Sequence, residues 1–211
     1  MSLTLIIGDK NISSWSLRPW LAMKHAGIAF REETVRLHLP QTRERILPHS
    51  PSGRVPALQD GDLKIWDSLA ICEYLADRFP EKRLWPADVA ARAIARCVCA
   101  EMHSGFATLR SACAMNITAQ ISDFKPAPDV VADTARVEAM WADARRRFGK
   151  GGPFLFGAFS IADAFYAPVV TRIRTYALKI SRDSQAYCDA VWALPAMEEW
   201  LAGARAELGH A

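Results

Sequence analysis

The apolar positions near the start of the chain follow two spacings, short continuous runs and helical repeats. Residues 3–7 form an apolar, partly β-branched run that ends at a Gly-Asp pair, which predicts a buried strand. Residues 16–26 carry apolar side chains at helical spacing and precede Gly27, a residue typical of the position after a helix. Pro19 then falls in the first turn of this helix, where its missing N–H is tolerated.

The same two spacings continue as far as residue 79. An Asp-Gly pair between two short apolar runs predicts a β-hairpin at residues 55–66. The order β-α-β-α-β-β-α predicts a mixed first domain over residues 1–79. The other elements that the pattern indicates are a strand within residues 30–37, a short polar helix or turn at 41–47 and a helix at 68–78.

Strand signals end at residues 80–88, a segment rich in proline and charge that is typical of a linker. A mixed front and an all-helical back predict two domains within an α+β protein, the second covering residues 89–211. The helical patterns beyond the linker occupy residues 87–116, 129–148, 160–180 and 195–208.

The composition indicates a globular protein without a specialised surface. Hydrophobic residues make up 51% of the chain, enough for a core, and the net charge of +3 is spread along it. The sequence has no run of about 18 apolar residues and no visible secretory signal. We therefore expect neither a membrane nor a nucleic acid as partner.

Cysteine usage points to a reducing compartment. The five cysteines, an odd number without a C-x-x-C pair, argue against a disulfide scaffold and for a cytoplasmic location. Histidines and cysteines show no spacing typical of metal ligands, so we expect no metal.

Two adjacent hydroxyl side chains, Ser13 and Ser14, lie between the first predicted strand and the first helix. Free backbone N–H groups and the positive end of the helix dipole favour an anion at this position, such as a thiolate. The alternative is that one of the serines simply caps the helix. The residues alone leave both interpretations open.

Three further motifs stand at the ends of predicted elements. Asp67 and Ser68 either cap the helix that follows or bind a ligand, with Ser68 and the helix amides holding a carboxylate and Asp67 an ammonium group. Pro56 opens a strand, where a trans edge-strand proline is the ordinary interpretation. Residues 160–163, SIAD, form a capping box with Asp in place of Glu, and we expect a structural role for it.

The order and spacing of these motifs resemble those of the soluble glutathione transferases along essentially the whole chain. The similarity is greatest to the serine-type classes, and among them to the zeta class. It implies a thioredoxin-like first domain that binds glutathione and an all-helical second domain that shapes a pocket for an acceptor. The segments that carry the resemblance are SSWSLR at 13–18, RVPAL at 54–58, DSLAI at 67–71, LWP at 84–86 and SIAD at 160–163.

The resemblance implies a role for the serines. Five residues before Arg18, the family has the serine that activates the sulfur; here this is Ser13, with Ser14 as the neighbouring alternative. Its hydroxyl would donate a hydrogen bond to the thiolate. Such a bond is worth about 1.5–3 kcal/mol and lowers a thiol pKa by roughly one to two units.

The resemblance also implies the contacts of glutathione. Val55 offers its backbone to the cysteinyl part, with the Val55–Pro56 bond in cis. Ser68 binds the γ-glutamyl carboxylate, and Asp67 faces the ammonium group. Candidates for the glycyl carboxylate, each open to a purely solvated role, are Arg54 and His38.

The acceptor would lie against the second domain. Trp15 adds an indole to this pocket where the zeta class has Cys, and residues 19–20 also depart from that class, which weakens maleylacetoacetate isomerisation as the activity. Candidates for an acidic acceptor are Arg172 and Arg174. Helical spacing places four more residues either in the pocket or in an ordinary core stripe: Met102, His103, Phe106 and Arg110.

The expected activity is the addition of a serine-stabilised glutathione thiolate to a small electrophile. Glutathione is then a co-substrate, and the family resemblance implies a homodimer. The alternatives are glutathione-dependent cis-trans isomerisation and a non-catalytic binding module of the same fold.

Overall fold

The chain begins with a four-stranded mixed sheet and the helices packed on it. The computed structural model describes residues 3–209. The strands are ordered β2-β1-β3-β4, with β1 parallel to β2 and antiparallel to β3, and β3 antiparallel to β4. The strands are β1 (Leu3–Gly8), β2 (Phe30–Val35), β3 (Ala57–Asp60) and β4 (Leu63–Trp66). The helices are α1 (Ser14–His25), α2 (Thr42–Ile46) and α3 (Ser68–Arg78).

Helix α1 crosses from β1 to its parallel neighbour β2, a connection that parallel strands require. Its side chains Leu17, Trp20 and Leu21 are fully buried. Because the helix already begins at Ser14, Pro19 is its sixth residue, and the prediction that Pro19 lies in the first turn was wrong. The polar serines hid this earlier start, since they interrupt the apolar spacing from which the helix was predicted.

The helical part of the protein, residues 89–209, surrounds one central helix. Every residue of α7 except Arg174 is buried. This helix packs against both α1 and α4, so a single hydrophobic core extends from β1 to α9. The helices of this part are α4 (Val89–Ser104), α5 (Ala107–Ala112), α6 (Pro128–Phe148), α7 (Ile161–Thr175), α8 (Arg182–Trp192) and α9 (Pro195–Gly209).

The long helix predicted over residues 87–116 is broken in two. Helix α4 ends at Ser104, Gly105 is extended, and Phe106 has a left-handed backbone with φ of 59°. The side chain of Arg110 donates to the carbonyls of Met102 and His103 at 3.0 and 3.2 Å. These bonds satisfy carbonyls that a continued helix would have paired, an effect that the Ala-rich pattern does not reveal.

The predictions also differ from the structure after residue 160. The helix predicted over 160–180 ends at Thr175, and α8 was not predicted. The N-terminus of α8 had a local signal, because the Ser181 hydroxyl accepts a hydrogen bond from the Ser184 amide at 3.3 Å. Strand β2 covers Phe30–Val35, within the residues 30–37 predicted to contain it.

The capping box at the start of α7 is present, which confirms its predicted structural role. Asp163 is fully buried, and its carboxylate accepts from the amides of Ser160 at 2.8 Å and Leu155 at 3.0 Å. Burial raises the pKa of Asp163 to about 6, and the hydrogen bonds that it accepts oppose that rise.

Replacing Asp163 with Ala should destabilise the fold, because two buried amides lose their acceptor. We expect a loss of about 1–3 kcal/mol in the free energy of unfolding, measured by denaturant titration. Ser160→Ala removes two longer cap contacts, to Asp163 and to the Ala162 amide, but leaves the carboxylate in place, so it should cost less. An Asp163→Ala variant of unchanged stability would contradict the structural role.

Candidate functional site

Five of the six predicted glutathione contacts, all except His38, meet in one cavity of about 390 Å³ in front of the N-terminus of α3. The predicted sulfur partners Ser13 and Ser14 are not among the residues that line it. Its lining combines the loop before β3, the junction between β4 and α3, and two residues that were predicted for the acceptor pocket, Trp15 and His103. The Val55–Pro56 peptide bond is cis, as predicted. The lining residues are Trp15, Ser52, Arg54, Val55, Pro56, Trp66, Asp67, Ser68 and His103.

Asp67 both caps α3 and borders the cavity. Its backbone is left-handed, with φ of 76°, and its Oδ1 accepts from the amides of Leu69 at 2.8 Å and Ala70 at 3.4 Å. Its Oδ2 lies 3.3 Å from Nε2 of His103 on α4. Capping therefore engages one carboxylate oxygen and leaves the other at the cavity.

A buried arginine lies behind Ser68. The Nη1 of Arg18 donates to the Ser68 hydroxyl at 3.2 Å, and the guanidinium stacks on the rings of Trp15 and Phe165 at 4.2 and 4.7 Å. Its Nε is buried and has no hydrogen-bond partner within residues 3–209. Burial, reinforced by the positive charge of Arg172, lowers the pKa of Arg18 to about 9. Sequence reasoning used Arg18 only to set the register of the serines and did not predict its contact with Ser68.

The serine turn, residues 9–13, joins β1 to α1. Ser13 is the N-cap residue of α1, yet its hydroxyl makes no capping bond; it donates to the Ser16 hydroxyl at 2.7 Å. Ser16 in turn accepts from the Gly8 amide at 3.1 Å. The Ser14 hydroxyl has no side-chain hydrogen bond within the described part of the chain. Both serines are buried, with 5 and 7% of their surface exposed.

The helical part holds the serine turn from two sides. On α9, Glu207 accepts from the Lys10 amide at 2.8 Å, and Nε1 of Trp200 donates to the Lys10 carbonyl at 2.8 Å. From the segment after α5, the Thr118 hydroxyl donates to the side chain of Asn11 at 3.0 Å. Sequence reasoning missed these contacts, because up to 197 residues separate the partners.

The other candidate residues lie away from the cavity. Met102 and Phe106 belong to the hydrophobic core, with 1 and 8% of their surface exposed. His38 is exposed on the loop after β2. Arg172 is buried and donates to the carbonyls of Cys113 and Pro168, both at 2.9 Å. Arg174 borders a separate groove of about 490 Å³ between α7, α8 and α9.

Residues 3–209 show neither a membrane-spanning helix nor a metal-ligand cluster. No helix in this range is long and apolar enough to cross a membrane. No three His, Cys, Asp or Glu side chains in it converge as metal ligands would. All five cysteines are free thiols.

Comparison with protein families matches most of the chain. Residues 12–78 match the family model of the glutathione S-transferase N-terminal domain, and residues 93–203 match that of the glutathione S-transferase C-terminal domain.

Curated relatives match over shorter stretches. The chain is 38% identical over 85 residues to glutathione S-transferase 1 of Dianthus caryophyllus, covering 40% of this chain and 38% of the relative. It is 39% identical over 83 residues to a zeta class glutathione S-transferase of Euphorbia esula, covering 39 and 37%. It is 32% identical over 98 residues to a probable maleylacetoacetate isomerase of Caenorhabditis elegans, covering 46 and 45%. The matched stretch spans less than half the length of each of these relatives.

Solved structures are similar over nearly the whole chain. A glutathione transferase homolog from Burkholderia gl BGR1 with bound glutathione has a TM-score of 0.72 and 24% identity, covering 97% of this chain and 98% of that one. An epsilon-class glutathione S-transferase from Musca domestica has a TM-score of 0.72 and 23% identity, covering 97 and 94%. The class of fold is therefore a thioredoxin-like domain followed by an all-helical domain, as predicted. With both family models matched in order, the chain belongs to the glutathione S-transferase family.

Replacing Glu207 with Ala should loosen the serine turn, because the Lys10 amide loses its acceptor. A hydrogen bond contributes about 0.5–1.5 kcal/mol, so we expect hydrogen exchange of the Lys10 amide to become about 2- to 12-fold faster in NMR measurements. Glu207→Gln keeps an acceptor oxygen at the same reach and should exchange near the wild-type rate. Equal exchange in all three proteins would show that Glu207 does not hold the turn.

Proposed function

We propose that this protein is a serine-type glutathione transferase, which stabilises the glutathione thiolate with a hydroxyl of the serine turn and adds the sulfur to a small electrophile. The observation that carries the proposal is the cavity shared by Val55, Asp67 and Ser68 at the N-terminus of α3. In the proposed complex these residues bind the cysteinyl backbone, the ammonium group and the γ-glutamyl carboxylate.

The charges around Ser68 support a bound carboxylate. The N-terminus of α3 presents backbone N–H groups and the positive end of a helix dipole. The Arg18 guanidinium lies directly behind the Ser68 hydroxyl and forms no ion pair with a carboxylate within residues 3–209. A carboxylate at Ser68 would therefore bring a negative charge close to the Arg18 guanidinium.

The chemical step needs a thiolate next to the serine turn. A hydroxyl hydrogen rotates to suit its acceptor, so Ser13 can turn its donor from Ser16 to the sulfur while Ser16 keeps its bond to Gly8. The thiol proton leaves to solvent, and the hydrogen bond stabilises the anion that remains. The sulfur then forms a bond to the electrophilic carbon as a leaving group departs, or as the adduct takes a proton from solvent.

Trp15 supports a position for the electrophile. Its ring borders the cavity and lies edge-on to His103, with ring centroids 5.1 Å apart. The guanidinium groups of Arg18 and Arg110 lie 4.2 and 5.5 Å from its ring centroid. The indole thus offers the acceptor an apolar surface that rests on one buried and one half-buried guanidinium group.

A second candidate is glutathione-dependent cis-trans isomerisation. It is favoured by the zeta class relative and the probable maleylacetoacetate isomerase among the matches. The same thiolate would add to a double bond and leave again after rotation, so glutathione would be recovered. Consumption of glutathione during turnover distinguishes conjugation from isomerisation.

The free thiols support a reducing, cytoplasmic setting for either activity.

Ser13→Ala should reduce conjugation more than it reduces glutathione binding. The variant loses one hydrogen bond to the thiolate, worth about 1.5–3 kcal/mol, so kcat/KM should fall by about 10- to 100-fold. The pKa of the bound thiol, followed by the ultraviolet absorbance of the thiolate, should rise by about one to two units.

Ser14→Ala is the matched control for that experiment. We expect it to leave the bound thiol pKa near the wild-type value, since Ser13 is the predicted sulfur partner. A raised pKa in Ser14→Ala with no change in Ser13→Ala would exchange the two roles. Unchanged thiol pKa and conjugation in both variants would contradict a serine-type transferase.

We also propose that the protein is a homodimer. Exposed apolar side chains on β4 and at the start of α4 support a covered face: Leu63 and Trp66 are 50 and 45% exposed, and Val89 is 71% exposed. Sedimentation at micromolar concentration should give twice the 23.4 kDa mass of the chain. A mass near that of one chain would exclude a stable dimer.

A further inference from the structure

The two oxygens of the Asp67 carboxylate have different partners. Oδ1 is engaged by the amides at the start of α3, while Oδ2 faces His103 of the helical part, with 3.3 Å between Oδ2 and Nε2. Both side chains border the same cavity as Ser68. The two oxygens thus face different elements, the start of α3 and helix α4.

His103 itself is fixed by its surroundings. It lies in the last turn of α4, edge-on to Trp15 and tilted against Phe165, with centroid distances of 5.1 and 6.4 Å. Its Nδ1 is buried and has no hydrogen-bond partner within residues 3–209, whereas Nε2 faces Asp67. This arrangement favours the neutral tautomer that carries its hydrogen on Nε2.

Charge balance agrees with a neutral imidazole. Burial lowers the pKa of His103, the neighbouring charges of Arg18 and Arg110 lower it further, and Asp67 opposes the shift. A neutral donor orients the carboxylate without cancelling its negative charge. Each carboxylate oxygen has two lone pairs, so the Oδ2 that lies 3.3 Å from Nε2 of His103 has capacity left to bind a cation.

We infer that His103 is a positioning residue for glutathione, which aims Oδ2 of Asp67 at the α-ammonium group of the γ-glutamyl end. This inference rests on the proposed function and makes the helical part a component of the glutathione site. In this role His103 acts through Asp67 on the ammonium group and on no other part of the peptide.

A merely structural role for the pair explains less. The side chains of His103 and Asp67 are 26 and 42% exposed, and pairs this exposed contribute little to stability. A carboxylate that is already held in one orientation favours binding of a cation, because the free-energy cost of ordering the carboxylate is not added to binding.

The test compares two ligands and three variants by calorimetry. The ligands are S-methylglutathione and the same peptide without its α-amino group. His103→Leu should weaken binding of S-methylglutathione by about 5- to 10-fold, because its ammonium group then binds a carboxylate that is no longer oriented. Binding of the deaminated peptide, which has no ammonium group, should change by less than about 2-fold. His103→Gln places an N–H donor at the reach of Nε2 and should restore most of the affinity.

His103→Asn is the third variant, and its polar side chain is too short to reach Asp67. It should show the same selective loss of affinity, and it replaces His103→Leu in the test if the Leu variant does not fold. Equal weakening of both ligands, or no rescue by Gln, would overturn the positioning role. Unchanged affinity in His103→Leu or His103→Asn would do the same. Failure of the wild-type protein to bind S-methylglutathione would contradict the proposed function instead.

Discussion

The candidate site depends on the burial of α1 on both of its faces. This helix lies between the sheet and α7, and nine of its twelve residues are buried. Leu17, Trp20 and Leu21 are inaccessible to solvent, and burial of each such side chain contributes about 1.5–3 kcal/mol. Because the serines, Trp15 and Arg18 all lie on or next to α1, its packing fixes the proposed sulfur partner and the surface for the acceptor together.

Burial of the Arg18 guanidinium costs desolvation free energy. Aromatic stacking and one hydrogen bond to Ser68 compensate part of its desolvation, but the nearby charges of Arg110 and Arg172 are repulsive. An unbalanced buried charge destabilises a fold, and such charges concentrate at functional sites. Binding of an anion in the adjoining cavity accounts for its presence better than a scaffold role does.

The helical part does more than line the cavity, because it also holds residues of the serine turn and of the α3 cap in place. Glu207, Trp200 and Thr118 hold the backbone and side chains of the serine turn, while His103 reaches the cap of α3. The proposed sulfur partner and the proposed ammonium partner are thus both positioned by helices that follow the sheet in sequence. Separating the two parts of the protein would remove these contacts, even with the sheet intact.

The sequence by itself determined the features whose causes lie within a few residues. The apolar run of β1, the Asp-Gly hairpin, and the capping box at Asp163 were predicted because strand, turn and cap preferences act locally. The same reasoning failed at Gly105, where Arg110 pairs with carbonyls at the end of α4 and the helix breaks. It also overlooked α8, although the Ser181 cap at the start of that helix is a local signal.

Only the tertiary structure decided how the site is assembled. Family motifs identified Ser68 and Asp67, but the partner of Ser68 is 50 residues away in Arg18, and that of Asp67 is on α4. The serine turn is held by a residue 197 positions away. Local preferences carry no information on such pairs, because a side chain meets a distant partner only when the burial of apolar surface has set the packing of the helices that bear both.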